Sequence, residues 1–453
     1  MESSTRRPTR YSRVPQGRGE RFFQLGRLAG GMALGGAAES LRRLVGAGMS
    51  EGHALLTGAN AERLTRRLSS MRGAAMKLGQ LLSLEAPDLL PAEVAEALSA
   101  MRDAADAMPE SQLRGALREA FGTDWERHFE SFDLEPIAAA SIGQVHSARA
   151  LDGRDLALKI QYPGVAKSID SDVDNLATAF RLARILPGDV DFSPLIEIAK
   201  EQLREESDYE REATYLKRYG ELLEDVEEVV VPRVHPDLST RAVLAMDRLR
   251  GVPLEDLCGA EHTQARRDEA STLLLRLVLR EFFEFEFLQS DPNFGNYLLL
   301  PDGRIGLLDL GAGFDAPASL CANYARLFRV AMDDDRDAIH EIAQEIGFIE
   351  ADDEAESAEA MVNLIRMATE PFRAQGAYDF GKTDLPARAR EASMALVFKH
   401  GLWRPPPPET LFLQRKLGGT FLLCVRLGGR VRTRELLEEA LDTMKSRVGE
   451  KED

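Results

Sequence analysis

Three polar side chains bracket a short apolar hairpin in the stretch QSDPNFGNYLLLPDGRIGLLDLGAGF, and their spacing limits the folds open to the chain. They are Asp291, Asn296 and Asp309, in the pattern Asp-x4-Asn-x12-Asp-Leu-Gly. The runs 297–300 and 304–308 predict two brief strands, and the Asp-Gly pair between them is typical of a two-residue turn. With that turn, Asn296 is predicted to stand directly opposite Asp309 at the open end of the hairpin.

Asn296 and Asp309 are candidate metal ligands. Two oxygen ligands side by side, with a further carboxylate five residues upstream, suit Mg²⁺ that takes part of its shell from protein and part from phosphate. The spacing is similar to the catalytic loop and metal-binding segment of the protein-kinase superfamily, with Leu310 in place of the usual Phe. A surface hairpin with polar ends is the alternative. A calcium loop is excluded because Gly295 stands where that loop requires Asp or Asn.

The composition narrows the classes of partner. The chain has 453 residues, of which 44% are hydrophobic and 29% charged, as expected for a folded protein of two or more domains. A net charge of -18 would repel nucleic-acid phosphates, so no nucleic acid is expected as a partner. Cys258, Cys321 and Cys424 lie far apart without metal-type or disulfide spacing, which indicates a reducing compartment.

The start of the chain reverses this charge. Its first 27 residues hold seven arginines against two glutamates, and an apolar run follows at 28–38. That run is too short to span a bilayer, which needs about 20 residues. We expect the arginine-rich arm to contact anionic lipid. The apolar run is expected to form a helix whose glycines leave a groove for another helix or a lipid tail, with a flexible Gly-rich linker as the alternative. A cytoplasmic, peripherally membrane-associated protein is predicted, bacterial in preference to mitochondrial; a secretory signal is disfavoured because phosphate chemistry needs cytosolic nucleotide.

Hydrophobic periodicity predicts the domain organisation. An amphipathic helix is predicted over 61–84, with Lys77 and Gln80 together on its polar side. Short strands follow from about residue 130, and one long charged helix is predicted from 193 to about 224. An apolar helix is predicted over 268–288. The predicted domains are a basic, Gly-rich arm (1–60), a helical extension (61–130), a small mixed lobe with a helical insert (131–250) and a mainly helical lobe (251–453).

Lys159 lies in the middle of the predicted strand LALKIQY. An uncompensated ammonium would be costly to bury there, so it needs an anionic partner. In kinase folds a strand lysine pairs with a helix glutamate and reaches the nucleotide phosphates, and Glu212 is the natural candidate for that glutamate. A lysine on the surface of an edge strand is the alternative.

Five motifs occur in one order along the chain: MRGAAMKLGQLLS, IAAASIGQVHSA, LALKIQYPGV, ESDYEREA, and SDPNFGN followed by LLDLG. Together they resemble the UbiB/ADCK family of atypical kinase-like proteins, most closely its coenzyme-Q-biosynthesis branch. The resemblance covers residues 20–430 or so. It implies an α+β class and a bilobal protein-kinase-like fold, with a small mixed N-lobe, a mainly helical C-lobe and an N-terminal helical extension packed over the active site.

The resemblance also implies roles for individual residues. Lys159 would orient the α and β phosphates of ATP or ADP, Glu212 would hold Lys159, and Asp291 would position water or an acceptor hydroxyl. Asn296 and Asp309 would bind Mg²⁺. The nucleotide would be covered by Ala138, Ala139, Ala140, Ser141, Ile142, Gly143, Gln144 and Val145, with Met246 at the adenine hinge. The helix of Lys77 and Gln80 would close the active site as a lid, with Lys77 held by Glu206 and Asp208.

The chain departs from ordinary kinases at three places. Alanines precede Gly143 where kinases have a Gly-rich loop, and their Cβ atoms prevent the same close approach of backbone amides to phosphate. The 52 residues between Lys159 and Glu212 predict an inserted helical element. Gln289 and Ser290 stand where a kinase has His-Arg.

We therefore expect an atypical kinase-like ATPase that binds Mg-nucleotide. It is expected to support the biosynthesis of ubiquinone, or of a related isoprenoid quinone, at a membrane surface. The expected partners are ATP or ADP, a membrane lipid or quinone precursor, and ubiquinone-biosynthesis proteins; homodimerisation is left open. The alternatives are a phosphotransferase acting on a protein or small molecule, and a nucleotide-sensing scaffold without turnover.

Overall fold

The computed structural model describes residues 107–140, 142–182, 193–291, 293–398 and 408–452. The predicted basic arm, the helix predicted over 61–84, and the residues Lys77, Gln80 and Ser141 lie outside this part of the chain. No helix of the described residues combines the length and the apolar character needed to cross a bilayer.

Helices make up most of the described chain. They are Glu110–Phe121 (α1), Val165–Leu182 (α2), Ser193–Glu206 (α3), Tyr209–Leu222 (α4), Gln264–Phe283 (α5), Ala318–Met332 (α6), Arg336–Ile346 (α7), Ala355–Ala368 (α8), Glu370–Arg373 (α9), Leu385–Phe398 (α10), Pro408–Leu427 (α11) and Thr433–Glu452 (α12). The strands are Phe129–Ala139 (β1), Gly143–Ala150 (β2), Asp155–Gln161 (β3), Val229–Val230 (β4), Val243–Asp247 (β5), Val252–Pro253 (β6), Phe287–Gln289 (β7), Tyr297–Leu299 (β8), Ile305–Leu307 (β9), Gly313–Asp315 (β10), Tyr378–Asp379 (β11) and Arg430–Val431 (β12).

The chain divides into two compact units. Of the described residues, the first contains those up to Lys217 together with Pro232–Arg248, and the second contains Arg218–Val231 together with those from Leu249 onward. The first holds a four-stranded antiparallel sheet in the order β1-β2-β3-β5. The second is mainly helical, with short strands around the Asp291 region.

The sheet of the first unit positions Lys159 on a central strand. Leu156, Leu158 and Ile160 of β3 are fully buried in a core that includes Trp125. Because side chains alternate along a strand, Lys159 points to the opposite face. It pairs with β2 on one side and with β5 on the other. The alternative of an edge-strand lysine is therefore wrong.

The predicted long helix from residue 193 is wrong in its continuity, because two helices, α3 and α4, occupy this segment. The backbone leaves the helix at Ser207, whose Oγ donates to the carbonyl oxygen of Arg204 at 2.7 Å. The Asp208 carboxylate then accepts the backbone N–H of Arg211 at 3.0 Å and caps α4. The predicted insert between Lys159 and Glu212 is present as α2 and α3.

Helix α5 is the central helix of the second unit's core. Leu275, Val278 and Phe282 pack there with aromatic side chains of α6 such as Tyr324 and Phe328. The prediction extended this helix to residue 288, but it ends at Phe283. The left-handed φ of 50° at Glu286 redirects the chain into strand β7.

The hairpin is present, but its predicted register is wrong by one residue. Tyr297 pairs with Leu307, and the backbone N–H of Leu308 donates to the Asn296 carbonyl oxygen at 2.9 Å. The loop has three residues, 301–303, because Leu300 and Arg304 close the ladder and Gly303 adopts a φ of 89°. The residue opposite Asn296 is therefore Leu308, and Asp309 comes one position later.

Candidate active site

The predicted ion pair between Lys159 and Glu212 is formed within the first unit. Lys159 Nζ lies 2.7 Å and 2.8 Å from the two carboxylate oxygens of Glu212. Their side chains are 9% and 1% exposed, so the bidentate contact offsets the cost of removing both charges from water. The Tyr209 ring, with its centroid 5.2 Å from Lys159 Nζ, adds a cation–π contact that the sequence analysis missed.

Asp291 and Asn296 are joined in the second unit. Asn296 lies at the end of a short 3₁₀ turn, Phe294–Asn296, which the Asn293 side chain caps by accepting the Gly295 N–H at 3.1 Å. The Asn296 Nδ2 group donates to the Asp291 backbone carbonyl at 3.0 Å and lies 3.4 Å from Asp291 Oδ2. This turn fixes the separation between the candidate catalytic carboxylate and the first candidate metal ligand.

Asp309 is oriented by its own local turn. Its Oδ1 accepts the backbone N–H of Gly311 at 3.0 Å, and the intervening Leu310 is buried. Because Leu308 is bonded to the Asn296 backbone, Asp309 follows directly at the open end of the hairpin. The structure therefore brings Asn296 and Asp309 to the same end of the ribbon, although they are not directly opposite.

The donor set of these residues suits Mg²⁺. It offers carboxylate and amide oxygens, the hard ligands that this ion prefers, and phosphate oxygens would complete the shell. Among the described residues, no group of three or more His, Cys, Asp or Glu side chains is placed to hold a metal ion.

The alanine-rich segment forms a tight turn between β1 and β2. The backbone N–H of Ala140 donates to the Gly143 carbonyl at 2.9 Å. Ala138 and Ala139 are exposed, whereas Ile142 and Gln144 are each 1% exposed. The predicted cover thus combines exposed alanines with residues whose side chains are buried, and its contact with a nucleotide stays a prediction.

Gly143 and Gln144 support this turn from within. A Cβ at Gly143 would collide with the Ile160 carbonyl oxygen and lie 2.9 Å from the Tyr209 hydroxyl. The Gln144 side chain accepts the Met108 backbone N–H at 2.9 Å, and its Nε2 lies 2.7 Å from His146 Nε2. Burial lowers the pKa of His146, which favours a neutral ring that can accept this hydrogen bond. Val145, the last residue of the predicted cover, pairs with Lys159 across the sheet.

Met246 lies inside β5, where it pairs with Ala157 and forms a bridge with Val234. Its side chain is 5% exposed. The division between the two units follows at Arg248. The role of Met246 at the adenine hinge stays a prediction.

The two carboxylates predicted to hold the lid lie where α3 gives way to α4. Glu206 is the last residue of α3, and Asp208 is the cap of the helix that carries Glu212. Asp208 therefore has a structural role that the sequence analysis did not recognise, although the pattern Ser-Asp-Tyr-Glu-Arg-Glu before a helix could have indicated it. Its pairing with Lys77 stays a prediction.

We expect Asp208→Ala to lower the free energy of unfolding by about 0.5–2 kcal/mol, because the N–H of Arg211 loses its acceptor. Denaturant unfolding measures this. Glu201→Ala is the matched control on α3, since Glu201 is exposed and bonds only at the surface with Arg204 at 3.0 Å; it should change stability by less than about 0.5 kcal/mol. An equal loss in both variants would contradict the capping role.

A strand lysine paired with a helix glutamate, and an Asp-Asn-Asp set around a hairpin, define a protein-kinase-like protein. The family described as the ABC1 atypical kinase-like domain matches residues 100–343. The chain belongs to this family of ABC1, or UbiB/ADCK, atypical kinase-like proteins, as the motifs predicted.

Curated relatives match almost the whole chain. The mitochondrial atypical kinase COQ8 of Schizosaccharomyces pombe is 37% identical over 434 residues, covering 95% of this chain and 70% of the relative. The mitochondrial atypical kinase COQ8B of Rattus norvegicus is 38% identical over 435 residues, covering 95% and 82%. COQ8 of Saccharomyces cerevisiae is 35% identical over 434 residues, covering 94% and 85%. The predicted coenzyme-Q branch is thereby confirmed.

A solved structure is similar in fold. Rv3197 of Mycobacterium tuberculosis, determined in complex with erythromycin, is 26% identical, with a TM-score of 0.58. The match covers 84% of this chain and 96% of that protein. The predicted α+β, kinase-like fold is confirmed, since a sheet-containing unit and a mainly helical unit are both present.

Proposed function

We propose that this chain hydrolyses ATP with Mg²⁺ in support of quinone-lipid synthesis at a membrane surface. The observation that carries the nucleotide part is the buried, bidentate contact between Lys159 and Glu212. A lysine held in this way presents one cation in a fixed direction, as the orientation of phosphates requires. Family membership supports ATP-dependent chemistry, and the roles of the individual residues are our proposal.

Each candidate residue has a role that its contacts support. Lys159 binds the α and β phosphates, while Glu212 keeps its ammonium in place. Asp291 accepts a proton from water or an acceptor hydroxyl, and its position is held by the Asn296 amide. Asn296 and Asp309 would hold Mg²⁺, which neutralises charge on the phosphate oxygens when bound.

The choice of hydrolysis over transfer to proteins rests on the predicted lid. The family resemblance implies that the helix of Lys77 and Gln80 excludes a protein substrate, with Lys77 held by Glu206 and Asp208. Water, or a small or lipidic acceptor, is then the remaining partner.

The membrane part rests on the charge of the N-terminal arm. The first 27 residues of this chain carry an excess of arginine, which anionic lipid attracts. We propose peripheral association with a membrane and recognition of a lipid or quinone precursor there.

Phosphate release from the purified full chain tests this function. We expect release above background with Mg-ATP, an increase with anionic liposomes and quinone-like phenols, and loss in Asp309→Asn. Nucleotide binding without release would favour the scaffold. Radiolabel transferred to an added protein, and increased by Lys77→Ala or Ala139→Gly, would favour the phosphotransferase.

A further inference from the structure

The side chain of Gln289 joins the two segments that carry the candidate catalytic and metal-binding carboxylates. Its Oε1 accepts the backbone N–H of Asp291 at 2.6 Å, and its Nε2 donates to the backbone carbonyl oxygen of Asp309 at 3.0 Å. One amide therefore uses its acceptor on one segment and its donor on the other. Gln289 is 3% exposed, so water cannot easily replace either bond.

The base of this bridge is itself fixed. Gln289 is the last residue of β7, and the next residue, Ser290, donates both its N–H and its Oγ hydroxyl to the Ala312 carbonyl at 2.9 Å and 3.0 Å. A buried ion pair lies behind it, with Lys416 Nζ 3.2 Å from Glu281 Oε2. Burial raises the pKa of Glu281, and the charge of Lys416 and the Gln289 backbone N–H oppose that rise. The Gln289 backbone thus belongs to a buried polar network.

We propose that Gln289 is a positioning residue that sets Asp291 relative to Asp309 for the phosphate chemistry. This inference rests on the proposed function of the same site. It follows from the geometry: Gln289 bonds to backbone atoms of both residues and leaves their carboxylates to act on the ligand.

The bridge needs both a donor and an acceptor. The protonation state of a glutamate in place of Gln289 therefore tests the proposal. An ionised glutamate at this position could still accept the Asp291 N–H, but it could not donate to the Asp309 carbonyl. A protonated glutamate has one donor and retains acceptor capacity, so it could make both bonds. Burial would raise the pKa of the introduced carboxyl. In Gln289→Glu the bridge is therefore complete below that pKa and lost as the pH rises through it.

The experiment compares the full-length wild type with Gln289→Leu and Gln289→Glu between roughly pH 5 and pH 8. Phosphate release and Mg-dependent ADP affinity are measured for each. We expect Gln289→Leu to lower kcat by roughly 10–100-fold, with a smaller effect on KM. For Gln289→Glu we expect a similar loss at the alkaline end, and a ratio of variant to wild-type kcat that increases towards the acid end.

Gln264→Leu is the matched control. Gln264 is the first residue of α5, whereas the last residue of α5 precedes the strand that carries Gln289. The Gln264 amide donates to Asp268 at 2.8 Å and to the Gly428 carbonyl at 2.7 Å. Its loss also removes glutamine hydrogen bonds from the second unit, but it should leave kcat and its pH profile unchanged. If Gln289→Leu does not fold, the pH-dependent ratio of Gln289→Glu decides the question.

A ratio that stays flat with pH, or a Gln289→Leu protein with wild-type kcat, would overturn the positioning role. Failure of the proposed function has a different signature, because the wild type itself would then release no phosphate. If the wild type binds Mg-ADP without release, the same pH-dependent ratio is measured on nucleotide affinity. If it binds no Mg-nucleotide at all, the proposal for Gln289 is refuted with it.

Discussion

Asp309→Asn is expected to lower phosphate release by at least about 100-fold, the largest effect that we predict on activity. The substitution removes one negative charge and keeps the size of the side chain. The new amide oxygen can still accept the Gly311 N–H, so the local turn should survive. The loss of phosphate release would then result from the missing carboxylate charge at the Mg²⁺ site. The Mg²⁺ concentration that gives half-maximal activity should rise.

The control for Asp309 is Asp315→Asn in the same unit. The Asp315 carboxylate is 66% exposed and pairs with Arg218 at 2.6 Å. Activity within about twofold of wild type is expected, since surface changes have small effects. If Asp309→Asn keeps more than half of the wild-type phosphate release, the assignment of Asp309 as a Mg²⁺ ligand is contradicted.

Glu212→Ala is expected to have the largest effect on stability. It leaves the Lys159 ammonium without its carboxylate in a nearly dry position, and breaking a buried ion pair in this way costs about 3–5 kcal/mol. Denaturant unfolding measures the loss. Glu130→Ala is the control on the same sheet, because its 3.0 Å pair with Arg149 is about 60% exposed on both sides; it should cost less than about 1 kcal/mol.

The double variant Lys159→Met, Glu212→Leu separates stability from function. Replacing both charges of a buried pair by apolar groups of similar size is often neutral or stabilising. The double variant should therefore recover most of the stability that Glu212→Ala loses, yet it should not bind nucleotide phosphates. If the double variant is as unstable as Glu212→Ala, the unpaired charge of Lys159 is not the cause of the lost stability.

Sequence reasoning predicted the individual segments of the site and, through the likeness to kinases, the pairing of Lys159 with Glu212. The strand around Lys159 was predictable from its short, mainly apolar run LALKIQY. The need to compensate a buried charge indicated an anionic partner, and the likeness to kinase folds indicated Glu212. The order of five motifs indicated the kinase-like fold, and the Asp-Gly dipeptide between two short apolar runs indicated the hairpin.

The errors arose where a single side-chain or backbone contact overrides a pattern. The register of the hairpin depends on the left-handed φ of Gly303, which selects a three-residue loop over the two-residue turn that Asp-Gly favours. The break between α3 and α4 depends on the Asp208 cap, although the charged pattern continues through it. The bridge by Gln289 was not predictable, because its two partners are backbone atoms that sequence does not distinguish.

The alanine-rich turn has a consequence for anyone who would convert this protein into a more conventional kinase. Gly143 is the only glycine between residues 138 and 144, and it serves as a spacer that lets β2 approach the Ile160 carbonyl. It therefore cannot be redeployed to loosen the turn over a ligand. Added backbone freedom would have to come from new glycines at the exposed alanines Ala138 and Ala139, which end β1.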